Sequence, residues 1–232
     1  MNKYEEFEKK FGLSFHDKKL LEQAFTHRSY INENKNLGIQ HNERLEFLGD
    51  AVLELIVTKF LFDHYPDTKE GILTAYRSAL VRTESISAAA REMGMNDLLK
   101  LSKGEEKDEG KARDYILANT FEAFIGAVYL DQGYEIAKRI ISEVLLKKID
   151  DIVRSGSWRD YKSYVQEKAQ EIYNETPHYE LLSATGPDHD KKFVVAIYFG
   201  DKKIAEGTGK SKQKAQQDAA KNALIYESWL RD

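Results

Sequence analysis

The sequence lacks cysteine and has no long apolar run. With 0 Cys, the chain forms no disulfides and offers no thiolate metal ligands, which suits a reducing cytoplasm. Its most apolar segment, Tyr115–Leu130, is interrupted by Asn119 and Glu122 and falls short of the roughly 20 residues that a membrane span needs. The N-terminus also lacks the basic-then-apolar pattern of a secretory signal. We therefore expect a cytoplasmic protein with no membrane partner.

The sequence also lacks an excess of positive charge. Its formal net charge is -4, which by itself argues against a nucleic-acid-binding protein. Any basic surface must therefore be local. The one candidate is the segment 207–214, which contains Lys210, Lys212 and Lys214 and no acid.

Strand patterns are missing from the first 153 residues. Apolar periodicity predicts a helix from the acidic stretch at 42–53 to about His64, and another over 70–93 that divides near Arg82. Thr83 is the expected N-cap of the second part. Further helices are expected over Glu5–Phe11, Lys18–His27, Ala112–Leu130 and Tyr134–Val153. Ile31–His41 is expected to be a polar loop, and the charge run Ser102–Lys111 a mobile one. Residues 1–153 therefore form an all-α domain.

Residues 160–232 have a different pattern and follow a Ser/Gly-containing linker, 154–159. Ser157 is expected to cap a helix that runs to about Tyr173. Three strands and a final helix should follow: Tyr179–Thr185, Phe193–Phe199, Lys203–Thr208 and 211–230. The predicted fold is an all-α domain followed by a small α+β (αβββα) domain.

The stretch His41–Leu53 enters an apolar helix but places three acids at one angular position. At about 100° per residue, Glu43, Glu46 and Asp50 fall within a sector of about 60°. Like charges at these spacings cost roughly 0.2–0.5 kcal/mol per pair. This acidic stripe therefore predicts a bound cation.

A second apolar helix carries Asn119 and Glu122 on one face. An unpaired polar group in a core is costly, so this face should pack against Glu46 and Asp50. A site made only of oxygen ligands suits Mg²⁺ or Mn²⁺ rather than zinc. Such ions activate water and stabilise a leaving oxygen, which is the chemistry of phosphodiester hydrolysis.

The stretch 42–53, NERLEFLGDAVL, resembles the signature of bacterial ribonuclease III, an endonuclease that cuts double-stranded RNA. The segments EGILTAYR (70–77) and LANTFE (117–122) and the αβββα module follow in the family's order. The resemblance implies four metal ligands: Glu46, Asp50, Asn119 and Glu122. Asp50 and Glu122 are expected to be catalytic. The implied cofactor is Mg²⁺, with Mn²⁺ as a substitute, and no small-molecule cofactor is expected.

The resemblance also assigns two further acids and one aromatic residue. Glu43 and Glu70 match acids that lie near the RNA strand, outside the metal shell. Phe47 matches an aromatic residue that inserts into a socket on a second subunit, which implies a homodimer whose subunits each hydrolyse one strand. The expected products are duplexes with short 3′ overhangs, 5′-phosphates and 3′-hydroxyls, formed in rRNA-precursor and mRNA processing.

Asn119 departs from the family pattern, which has an aspartate at this position. An amide oxygen can ligate Mg²⁺ weakly, but it carries no charge. Asp114 is not expected to substitute, because five residues correspond to about 140° around a helix. Either a natural variant that retains activity or an engineered change that traps substrate would explain Asn119. The alternative function is a catalytically impaired protein that only binds double-stranded RNA.

The C-terminal module resembles a double-stranded RNA-binding domain, which contacts successive minor grooves and the phosphates between them. Its expected RNA contacts are Lys162, Gln166, Glu167, His189, Lys210, Ser211, Lys212 and Lys214. His189 belongs to the loop expected to enter a minor groove. Ser211 should cap the last helix, and the lysines around it add their charge to the helix dipole where a phosphate would bind.

Overall fold

A computed structural model of the chain describes residues 2–35, 38–107, 109–187 and 190–229. The chain divides into two compact units, residues 1–158 and 159–232. The boundary lies inside the predicted linker, 154–159, whose first two residues continue a helix that ends at Ser155. None of the helices in the described ranges has the length and hydropathy that a membrane crossing requires.

The regular secondary structure in the described residues of the first unit is helical, apart from an isolated bridge between Thr26 and Lys100. Its α-helices are α1 (Lys3–Lys10), α2 (Lys18–Ala24), α3 (Arg28–Glu33), α4 (Glu43–His64), α5 (Glu70–Val81), α6 (Thr83–Met93), α7 (Lys111–Gln132), α8 (Tyr134–Val144) and α9 (Ile149–Ser155). Short 3₁₀ turns occur at Met95–Leu98, Glu105–Lys107 and Leu146–Lys148. The all-α prediction for this part of the chain is confirmed.

Two predicted helix starts in the sequence are wrong. Thr83 is the first residue of α6, and its N-cap is Arg82, which has extended backbone geometry. The helix that Ser157 was expected to start begins only at Tyr161, because Asp160 caps it by accepting from the Ser163 N–H at 3.3 Å. A serine or threonine followed by an acid is therefore not a sufficient signal for a cap in this chain.

Two predicted segment boundaries also differ from the structure. Residues 31–33 belong to α3 rather than to a loop, because His27 caps this helix by accepting from the Ser29 N–H at 3.3 Å. The single helix expected over 134–153 is interrupted after Val144. A 3₁₀ turn over Leu146–Lys148 follows, and Leu145 and Leu146 are both buried.

The charge run 102–111 is more ordered than the mobile loop that the sequence predicts. Glu105–Lys107 form a turn, and Arg113 Nη2 donates to the carbonyl oxygens of Glu105 and Glu106 at 3.0 and 2.9 Å. The Glu105 carboxylate also lies 2.8 Å from His27 Nδ1. These contacts fix the described part of the run against neighbouring helices.

α4 and α7 form the centre of the first unit. Leu53 and Val57 of α4 and Phe121, Phe124 and Ile125 of α7 are fully buried. Burial of each such side chain stabilises a fold by about 1.5–3 kcal/mol. The hydrophobic core therefore fixes the two helices on which the predicted metal ligands lie.

The second unit has the predicted αβββα order. Its elements are α10 (Tyr161–Tyr173), β1 (His178–Thr185), β2 (Lys192–Phe199), β3 (Lys202–Gly209) and α11 (Lys212–Tyr226). The strands form an antiparallel sheet in the order β1-β2-β3, with a tight turn at Gly200, where φ is 54°. The two helices pack on this sheet around a core that includes Val165, Ile197 and Leu224.

Candidate functional site

The two central helices of the first unit cross at a pair of glycines. A Cβ atom on Gly49 of α4 would lie 1.7 Å from the carbonyl oxygen of Glu122 on α7. A Cβ atom on Gly126 of α7 would lie 2.3 Å from the carbonyl oxygen of Leu45 on α4. Glycine inside a helix costs about 1 kcal/mol relative to alanine, and this close approach explains why both helices carry one. Glycines inside two helices are a sequence signal for a close helix crossing. The motifs alone did not predict this crossing.

The crossing brings carboxylates from both helices together. Glu46 and Asp50 flank Gly49 on α4; Asp50 is exposed, and Glu46 and Glu122 are half-buried. Burial and the negative charges of Asp50, Glu46 and Glu54 raise the pKa of Glu122 to about 7. Asn119 lies one helical turn before Glu122 and is also half-buried.

Glu46 is subject to the same electrostatic repulsion. Burial, followed by the charges of Glu43 and Asp50, raises its pKa above the ordinary value. A like charge nearby favours the neutral form of a carboxyl group, so Glu43 and Asp50 add to the effect of burial on Glu46. A bound cation would relieve this repulsion.

Protein cations lie at both ends of the acidic stripe but not at its middle. Arg28 Nη1 lies 3.4 Å from Glu43 Oε1 at one end. At the other end, Glu54 follows Asp50 by one helical turn. Arg77 Nε lies 3.0 Å from its Oε2 atom. Within the described part of the chain, no hydrogen bond or ion pair is formed by the side chains of Glu46, Asp50, Asn119 and Glu122. The middle of the stripe is thus the part where a further cation would bind.

This middle region fits a hard cation by its donor chemistry. It offers carboxylate and amide oxygens, the ligands that Mg²⁺ prefers. Among the described residues, however, no three histidine, aspartate or glutamate side chains converge closely enough to hold a metal ion. Repulsion between carboxylates favours separated side chains. The backbone therefore positions the predicted ligands near one another, while ligation requires their side chains to rotate.

Asp114 does not supply the charge that Asn119 lacks. Its Oδ1 atom lies 2.6 Å from Arg91 Nη2. This ion pair joins the first turn of α7 to α6, and it occupies the Asp114 carboxylate. The predicted ligand set therefore consists of three carboxylates and one amide.

Phe47 and Glu70 lie on the surface of the first unit. Phe47 is 83% exposed, and Leu55 and Phe62, which are 58% and 71% exposed, follow on the same face of α4. We call these three residues the apolar stripe. Exposed apolar patches of this kind mark interaction sites. Glu70 is the exposed first residue of α5.

A lysine cluster surrounds the start of α11 in the second unit. Ser211 caps the helix by accepting from the Lys214 N–H at 3.2 Å. Lys212 and Lys214 are exposed, and Lys210 Nζ lies 3.2 Å from Asp190 Oδ1. A Cβ atom on Gly209 would lie 2.5 Å from the backbone nitrogen of Ala215, so β3 closely approaches this helix start. Lysines from the strand end and the helix are thereby held together.

The other predicted RNA contacts of the second unit differ in accessibility. Gln166 and Glu167 are exposed on α10. Lys162 is half-buried, because its Nζ donates to Gln216 Oε1 at 2.8 Å and lies 5.0 Å from the centre of the Tyr179 ring. His189 lies outside the described residues. Lys162 would have to release contacts within its own unit before it could bind RNA.

Comparison with known proteins identifies both units. A family model described as Ribonuclease-III-like matches residues 17–149, more than half of the chain. The chain belongs to the ribonuclease III family. The double-stranded RNA binding motif matches residues 161–227, which include the lysine cluster of α11.

Proteins named ribonuclease 3 resemble the chain over nearly its whole length. The protein from Streptococcus equi subsp. zooepidemicus is 46% identical over 224 residues, which cover 95% of this chain and 96% of that protein. The protein from Streptococcus mutans is 47% identical over 92% of both chains. These relatives and the RNA-binding motif make this ribonuclease III family member an endoribonuclease that acts on double-stranded RNA.

A solved structure also resembles the first unit. The nuclease domain of ribonuclease III from Campylobacter jejuni has a TM-score of 0.56 and is 39% identical. The match covers 62% of this chain and 96% of that domain. That study concerned structural flexibility in a region involved in dimer formation of the Campylobacter domain. The all-α unit is therefore a ribonuclease III nuclease domain.

Proposed function

We propose that this chain is a Mg²⁺-dependent endonuclease that hydrolyses both strands of double-stranded RNA as a homodimer. Mn²⁺ would substitute for Mg²⁺. The products would be duplexes with 5′-phosphates, 3′-hydroxyls and short 3′ overhangs. The enzyme would act in the cytoplasm on rRNA precursors and mRNA.

The observation that carries this proposal is the distribution of charge along the acidic stripe. The chain provides its own cations for Glu43 and Glu54 at the two ends. It brings Glu122 of α7 toward the middle, where burial and, after it, the charges of the neighbouring acids raise the pKa of this carboxyl to about 7. A buried carboxyl among other acids does not favour stability alone. It is expected where acids are grouped to bind a divalent cation.

Each acid of the site has a proposed role. Glu46, Asp50, Asn119 and Glu122 would hold the ion through their side-chain oxygens. A bound divalent ion lowers the pKa of its water and stabilises the leaving oxygen of a phosphodiester. Asp50 and Glu122 are the proposed catalytic residues. Glu43 and Glu70 would lie beside the RNA strand.

The remaining surfaces support binding of duplex RNA by a dimer. The apolar stripe, with Phe47 at one end, is proposed to pack against a second subunit and bring two sites to the two strands. Lys210, Lys212 and Lys214 would bind phosphates, assisted by the N-terminus of α11. Reading of the duplex would depend on its shape and 2′-hydroxyls rather than on sequence.

The alternative function, binding of double-stranded RNA without cleavage, is favoured by Asn119 alone. An uncharged amide gives the site one negative charge fewer than the family pattern, and Asp114 is paired with Arg91. We favour cleavage, because Glu46, Asp50 and Glu122 are all present. If the unaltered chain already cleaves RNA, Asn119→Asp should only increase the cleavage rate at limiting Mg²⁺.

The deciding experiment incubates purified chain, Asn119→Asp and Glu122→Gln with a long RNA duplex and Mg²⁺, and sizes the products. We expect the first two proteins to yield short duplexes and Glu122→Gln to bind without cleaving. Cleavage by Asn119→Asp alone would support the binding-only function for this chain. If none of the proteins cleaves while all bind, the proposed enzymatic function is wrong.

A further inference from the structure

An ion pair between α4 and α5 adjoins the candidate metal site. Arg77 Nε lies 3.0 Å from Glu54 Oε2, and Arg77 Nη1 donates to Thr58 Oγ1 at 3.0 Å. Both charged side chains are a little more than one-third exposed. Two contacts from one guanidinium hold it in a fixed orientation on α4. The pair is therefore a defined feature of the structure rather than two freely moving surface charges.

Glu54 extends the acidic stripe toward the site. It lies four residues after Asp50, so the two side chains share a face of α4 and their Cβ atoms are about 5–6 Å apart. Its charge also acts on Glu122, across the helix crossing. Without Arg77, Glu54 would add a further negative charge beside the proposed ligands. Arg77 places a positive charge 3.0 Å from this carboxylate.

We propose that the Arg77–Glu54 pair sets the affinity of the neighbouring site for Mg²⁺ by balancing charge, with neither residue contacting the ion. This inference rests on the proposed metal-dependent function. Neither residue belongs to the ligand set that the sequence predicts. Arg77 is 23 positions from Glu54, so no spacing rule indicates that they form a pair.

The two halves of the pair predict opposite changes. Arg77→Gln leaves the Glu54 carboxylate unbalanced, and the added negative charge should strengthen Mg²⁺ binding about threefold to tenfold. Glu54→Gln leaves a guanidinium close to the site and should weaken binding by a similar factor. The double variant should bind nearly as the unaltered protein does. If the pair only held α4 and α5 together, both single variants would weaken binding.

The test measures Mg²⁺ binding to the full chain without RNA by isothermal titration calorimetry. Cleavage of an RNA duplex as a function of Mg²⁺ concentration gives a second measure. Lys59 and Asp63 form a matched control pair on α4, with Lys59 Nζ 2.7 Å from Asp63 Oδ2. Lys59→Gln and Asp63→Asn make the same charge changes farther from Asp50 and should leave Mg²⁺ binding unchanged.

Thermal melting of each variant identifies any loss of fold, and Arg77→Lys provides a charge-retaining variant that should bind Mg²⁺ nearly normally. Opposite shifts in the two single variants, restored in the double variant, would establish the pair as a charge balance. Shifts in the same direction, or equal effects of the control pair, would overturn it. If the unaltered protein binds no Mg²⁺ and cleaves without it, the proposed metal-dependent function itself fails. If the unaltered protein binds Mg²⁺ and no variant changes that affinity, only the proposed role of this pair is refuted.

Discussion

The glycine crossing gives the sharpest test of how the fold builds the site. In Gly49→Ala, the new methyl group would lie 1.7 Å from the carbonyl oxygen of Glu122. Ordinary van der Waals contacts begin at about 3.4 Å. The two helices would therefore have to separate by about half of that contact distance. The neighbouring atom belongs to the backbone, so side-chain rotation cannot remove the clash.

The expected cost has a structural part and a catalytic part. Overpacking a well-ordered core typically costs about 1–3 kcal/mol, which exceeds the gain of about 1 kcal/mol in helix propensity from glycine to alanine. The net loss of up to about 2 kcal/mol should lower the melting temperature of a domain of this size by up to about 8 °C. Separating α4 from α7 also moves Glu122 away from Glu46 and Asp50. Because a misplacement of about 1 Å can reduce a rate about 100-fold, activity should fall far more than stability.

Gly71→Ala is the matched control, since Gly71 lies in α5 and no atom is within 4 Å of its added Cβ. This variant should melt at an equal or higher temperature, because alanine is the better helix former. Circular dichroism melting and kcat on an RNA duplex, measured below the melting temperature of every variant, give the two readouts. Full activity in Gly49→Ala would refute the role of the crossing in positioning the carboxylates.

Two further predictions concern charge. The pKa of Glu122 rises from an ordinary 4.5 to about 7 on folding, so the folded state binds this proton more tightly than the unfolded state. Stability of the metal-free protein should fall as pH rises between these two values. Urea midpoints in EDTA should show this loss, and Glu122→Gln should reduce it; identical pH profiles would contradict the assignment. In the second unit, Asp190→Asn should free Lys210, whose Nζ lies 3.2 Å from Asp190 Oδ1, and tighten duplex binding about twofold to fivefold at low salt. Fluorescence anisotropy measures this change, and an affinity unchanged at every salt concentration would show that Lys210 does not bind phosphate.

The sequence predicts the fold well where periodicity and local turn signals determine structure. The face shared by Glu46 and Asp50 follows from 3.6 residues per turn, and the αβββα order follows from strand alternation. The break after Val144 was not predictable, because no glycine or proline marks it in the sequence. At Thr83 the capping signal also misled, because α6 begins at Thr83 without a side-chain hydrogen bond at its N-cap, Arg82.

The candidate site was predicted only in part for a related reason. Motif spacing selects the carboxylates, but it gives no measure of how closely two helices approach. Gly49 and Gly126 determine that distance, and their role becomes visible only when the opposing carbonyl oxygens are located. The pairing of Arg77 with Glu54 depends on the packing of α5 against α4. Long-range contacts of this kind leave no regular pattern in a single sequence.

The carboxylates lie on two core helices rather than on loops, and this placement affects how the protein can lose its activity. Exposing the crossing at Gly49 and Gly126 means separating α4 from α7, which also exposes Leu53 and Phe124. Opening the site therefore requires nearly as much free energy as unfolding the whole nuclease unit. Backbone hydrogen exchange at the crossing should be limited by global unfolding. Heat or denaturant would thus remove the catalytic geometry and the fold in a single transition.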